Sequence, residues 1–136
     1  MRRWIVAVAS VLVVAVGVSA AWGAANKAVV KVSLKEFKVI PTPTSAPRGA
    51  VTFSVRNTGK LEHELVVLKT NVAPAKLPVK SGKAVEAGRV GKIGAPKLKP
   101  GAARTLNLNL GAGKYVLLCN LPGHYQAGQR VGFRVT

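Results

Sequence analysis

The chain has 136 residues, with 21 Lys and Arg against four acids, all of them Glu, for a formal charge of +17; that length suits one domain. The lack of any Asp excludes a Ser-His-Asp triad, an EF-hand loop and a paired-aspartate site, and a single cysteine excludes an internal disulfide. Scattered lysines, aromatics at only 5% of the chain and the export signal read below argue against nucleic acid as a partner.

Met1 to Arg3 form a short positive start, and Trp4 to Ala25 run without a charge through an apolar stretch that ends in small residues. This is the layout of an export signal, so residues 1–25 are set apart from the folded domain, 26–136. Val18-Ser19-Ala20 and Trp22-Gly23-Ala24-Ala25 each offer a cleavage site. The stretch is also long enough to span a bilayer, and an uncleaved N-terminal anchor is the alternative. In both cases the domain is expected outside the cytoplasm, in the periplasm, the cell envelope or the extracellular space. Removing Arg2 and Arg3 from the 21 basic residues leaves 19 against four acids, a formal +15. Such a field favours an acidic protein partner or an anionic envelope surface.

Strand signals then follow in order. Val30, Val32 and Leu34 alternate with polar residues, as do Val51, Phe53 and Val55, then Leu106, Leu108 and Leu110, then Val131, Phe133 and Val135. Turn residues separate them at Pro47-Arg48-Gly49, Asn57-Thr58-Gly59, Pro100-Gly101 and Gly111-Ala112-Gly113. Thr70 to Glu86 holds Pro74, Pro78 and Gly82 but little pattern, and reads as a long loop with room for a helical turn. No long segment has helical periodicity. The expected fold is an all-β, two-sheet Greek-key sandwich.

The chemistry sits at strand ends. Cys119 closes the apolar run Tyr115-Val116-Leu117-Leu118 and shares its face with Leu117 and Tyr115, so it points inward. Asn120-Leu121-Pro122-Gly123-His124 follows, then Tyr125-Gln126-Ala127-Gly128-Gln129, so one tight loop presents a thiol, an imidazole and an amide. The only other histidine, His63, opens the apolar run Leu65 to Leu68 and shares its face with Leu65 and Val67. A thiolate with two imidazoles and a weak fourth donor selects copper in electron-transfer sites, where Gln can stand in for a long axial Met. The only methionine is Met1, and three firm donors fall short of a structural zinc set. Taken singly, a buried cysteine and a lone histidine are ordinary core residues; it is their joint placement that points to a metal.

Over roughly Val30 to Val135, the spread of its strand signals, the chain resembles the cupredoxin family, the plastocyanin- and azurin-like blue copper proteins. The resemblance is strongest in Gly113-Lys114-Tyr115, Cys119-Asn120-Leu121-Pro122-Gly123-His124-Tyr125 and Ala127-Gly128-Gln129. It implies one copper ion, cycling between Cu(I) and Cu(II), bound by His63, Cys119, His124 and Gln129, with Gln126 as the alternative amide. Gln129 falls in the stellacyanin-like axial position, where many bacterial relatives have Met. An amide oxygen, harder than a thioether, favours Cu(II) and lowers the potential. Many relatives also place Asn after the upstream His to brace the loops, but this chain has Glu64.

The resemblance implies a non-enzymatic, monomeric carrier of single electrons, with His124 as the exposed edge beside Leu121 and Pro122. A copper carrier or sequestering protein using the same four residues is the alternative. A metal-free basic adhesion domain on the same scaffold is a third reading, from a different functional class.

Overall fold

The computed structural model of the protein describes residues 27–136; the export signal, its cleavage sites and the anchor alternative lie outside the described residues. The strands in chain order are β1 (Ala28–Lys35), β2 (Lys38–Thr42), β3 (Ser45–Ala46), β4 (Gly49–Asn57), β5 (Leu65–Lys69), β6 (Val79–Lys80), β7 (Lys83–Ala84), β8 (Arg89–Ile93), β9 (Ala103–Leu110), β10 (Gly113–Leu118) and β11 (Arg130–Val135). One sheet has the order β2-β1-β4-β9 and the other β3-β11-β10-β5-β8. The chain crosses repeatedly between them, which gives the expected two-sheet sandwich.

Alternation decides which side chains meet between the sheets. Val30, Val32 and Leu34 of β1 and Val51, Phe53 and Val55 of β4 face Leu65 and Val67 of β5, Tyr115 and Leu117 of β10, and Phe133 and Val135 of β11. At the centre, the rings of Phe53 and Phe133 meet edge to face, 5.6 Å apart and inclined at 63°.

β5 and β10 carry near-continuous apolar runs because both of their faces are covered. Their second face, Val66, Leu68, Val116 and Leu118, packs with Leu77, Ala84 and Tyr125. The cover comes from the segment expected as a loop, which holds a 3-10 turn at Pro74–Lys76 and the β6–β7 hairpin. Tyr125 fastens it: its hydroxyl donates to the Pro74 carbonyl at 2.7 Å and accepts from the Leu77 N–H at 2.9 Å. That segment is therefore a second wall of the core, tied to the loop that carries His124.

Asn57 shapes the approach to His63. Fully buried, it donates to the carbonyls of Leu61 at 2.7 Å and Leu98 at 2.8 Å, and accepts from the Gly59 N–H at 2.9 Å. β5 begins at Leu65, so His63 lies two residues ahead of the strand on which it was expected. It still faces inward, held through its own N–H to the Leu98 carbonyl at 3.2 Å.

Candidate metal centre

Antiparallel pairing of β5 with β10 brings the start of one strand beside the end of the other, with Val66 opposite Leu118. Cys119 and His63, 56 residues apart in sequence, are therefore neighbours at one end of the sandwich. The Glu64 N–H points at Cys119 Sγ, 3.3 Å away. The loop after Cys119 closes through Cys119 N–H to the Gln129 carbonyl at 3.0 Å and Gln129 N–H to the His124 carbonyl at 3.1 Å. Gly123 at φ 80° and Gly128 at φ 110° supply the left-handed residues that fold it back.

The structure brings His63, Cys119 and His124 together, with one donor atom of each within 4.8 Å of the others. Sγ stands 3.8 Å from His63 Nδ1 and 3.5 Å from His124 Nδ1. Donors sharing one metal through bonds of about 2.0–2.3 Å stand roughly 3.5 Å apart, so these separations fit a single ion. Gln129, fully buried, joins them: its Oε1 is 3.1 Å from His124 Nδ1. Its orientation follows from the network, because Nε2 donates to the Lys35 carbonyl at 3.1 Å and lies 3.0 Å from His63 Nδ1, which turns the amide oxygen inward. Gln126 is exposed to solvent. One thiol, two imidazoles and an amide oxygen make a donor set of the kind that suits a single copper ion.

His63 and Cys119 are fully buried, whereas His124 is half-buried. Burial pushes the Cys119 thiol pKa up against the backbone N–H groups of Glu64 and Leu121 that favour its thiolate. Burial likewise lowers the pKa of His63, against the pull of Glu36, and so disfavours the charged ring.

Three contributors carry no signal in the sequence pattern. Glu36, in the β1–β2 turn, reaches His63 Nε2 at 2.9 Å. Hydrogen bonds from the backbone N–H groups of Leu61 and Lys60 hold its carboxyl pKa at about 2. Phe37 meets the His124 ring edge-on, with centroids 5.0 Å apart. The third is Lys92, whose Nζ lies 3.3 Å from Glu64 Oε1 and 3.2 Å from Glu86 Oε1. Asn120 donates to that same Glu86 oxygen at 2.9 Å and to the Ala84 carbonyl at 2.9 Å. The residues following His63 and Cys119 are thus joined through a Lys-Glu bridge, so Glu64 braces the loops by an ionic route.

No protein-family model matches the chain, and no curated protein sequence does. Among solved structures, the chain is similar to dithionite-reduced auracyanin from the photosynthetic bacterium Roseiflexus castenholzii, with TM-score 0.60 and 20% identity over 81% of this chain and 98% of that one. Auracyanin B matches with TM-score 0.62 and 19% identity over 79% and 88% of the two chains. Rusticyanin from Thiobacillus ferrooxidans matches with TM-score 0.57 and 21% identity over 79% and 77%. At these identities what is shared is the fold.

Proposed function

We propose that this cupredoxin-fold domain holds one copper ion between His63 Nδ1, Cys119 Sγ and His124 Nδ1, with Gln129 Oε1 as a weak fourth donor, and carries single electrons between partners outside the cytoplasm. The observation that carries the reading is the meeting of the chain's only cysteine and its only two histidines in one cluster at the end of the sandwich, two of the three buried. Bound copper supplies a one-electron couple between Cu(I) and Cu(II). The chain's own residues keep the donors in place across that couple. Glu64 N–H fixes Sγ, Lys35 fixes the Gln129 amide, and Glu36 fixes His63. A frame that moves little on gain or loss of an electron suits rapid transfer. His124, the one firm donor that reaches solvent, is the port, with Phe37 against its ring and Leu121 and Pro122 in the same loop.

The domain's field steers an acidic partner. Of its four acids, Glu36 is tied to His63, and Glu64 and Glu86 to Lys92. Most of the basic side chains are left to set the surface potential.

Voltammetry of the copper-loaded protein is expected to give a reversible one-electron couple, with copper retained against a chelator in both oxidation states. Rapid loss of copper to the chelator with sluggish electron exchange would make copper carriage the function. Exchange with an acidic redox protein is expected to slow as the screening length shrinks from about 10 Å at 0.1 M salt to about 3 Å at 1 M. A rate indifferent to salt would remove the steering.

A further inference from the structure

Glu36 is placed with unusual definition for a surface-turn carboxylate. Its Oε1 accepts from the Leu61 N–H at 2.8 Å and the Lys60 N–H at 3.0 Å, and Oε2 lies 3.1 Å from that same Lys60 N–H. Gly59 lies directly over the carboxylate, where a Cβ would overlap it. The remaining contact is with His63 Nε2 at 2.9 Å, on a ring with no solvent exposure.

The tautomer of His63 follows. A neutral imidazole has one N–H and one lone pair. Glu36 can only accept, so the N–H is on Nε2. On the opposite side of the ring, Gln129 Nε2, whose identity is set by the Lys35 carbonyl, faces Nδ1 as a donor. Both neighbours select the same form, with the lone pair on Nδ1, the ring nitrogen that lies 3.8 Å from Cys119 Sγ.

We propose that Glu36 is a positioning residue that fixes His63 in its Nε2–H form and, as an anion hydrogen-bonded to a ligand ring, biases the centre toward Cu(II) over Cu(I). The bias has a plain cause: a negative charge one hydrogen bond from the ligand raises the ring's basicity and stabilises the more highly charged ion. This rests on the reading of His63 as a copper ligand.

The test has two arms. In the metal-free wild type, long-range proton–nitrogen NMR is expected to show His63 as the single Nε2–H tautomer; an Nδ1–H form would overturn the proposal without any copper present. Competition titrations then compare wild type with Glu36→Gln. Removing a partner of this kind typically weakens metal affinity about 10–100-fold, and the loss is expected mainly for Cu(II), so that the Cu(II)/Cu(I) affinity ratio falls. If Glu36→Gln lowers thermal stability while that ratio stays at the wild-type value, Glu36 is only a staple for the turn. Wild-type protein that fails to bind copper would sink the metal reading instead, while leaving the tautomer measurement intact.

Discussion

The Cys119→Ser variant is expected to fold as its parent does, yet to show no intense visible absorption when one equivalent of Cu(II) is added. Cys119 is fully buried, and its Sγ is faced by the backbone N–H groups of Glu64, at 3.3 Å, and Leu121, from which a serine oxygen can also accept. The fold should therefore lose little. The copper chemistry should change completely, because a strong thiolate-to-copper transition requires sulfur in the coordination shell and a neutral hydroxyl is a poor ligand for a soft site. Visible and EPR spectra of the two proteins, alongside thermal melts of the metal-free forms, check both halves. An unchanged band in the variant would show that Sγ is not a ligand.

The largest effect on stability is expected from Phe53→Ala. Phe53 has no solvent exposure, lies in the middle of β4 and meets Phe133 edge to face at 5.6 Å, so truncation opens a cavity where the two sheets touch. Such truncations cost about 3–5 kcal/mol, against a total of about 5–15 kcal/mol for ordinary domains. Urea unfolding of the metal-free protein measures the difference. A loss below about 1 kcal/mol would mean that the sheets do not pack across this ring in the way described.

Much of this core was legible because alternation leaves a mark in the sequence. The positions picked out in β1 and β4 are all buried, and Phe133 and Val135 of β11 are as well. Leu106 and Leu108 are only half-buried, since β9 is the edge of its sheet. The strands that escaped notice are those with little to alternate. β2 is five residues long and includes Pro41; β8 buries only Ile93 and carries Gly91; β3 has two residues. The second wall of the core was hidden for another reason. Leu77 and Ala84 are each buried between exposed neighbours, and the hydrogen bonds of Tyr125 that hold their segment are to backbone groups, which leave no pattern in a sequence.

The site divides in the same way. Cysteine and histidine are so scarce in this chain that inventory alone drew attention to Cys119, His63 and His124. Their surroundings were not accessible by inventory. Glu36 contacts His63 across 27 residues of sequence from a turn with no periodicity. Its one outward sign is that it is an acid in a chain with 21 basic residues. The bridge from Glu64 through Lys92 to Glu86 and Asn120 depends on β5 and β8 lying side by side, and β8 was not foreseen.

X-ray absorption at the copper edge of the loaded protein addresses the central assignment most directly. One sulfur and two imidazole nitrogens in the first shell of a single copper ion is the expected result. A shell of nitrogen and oxygen alone would place the metal elsewhere on this cationic surface and contradict the assignment.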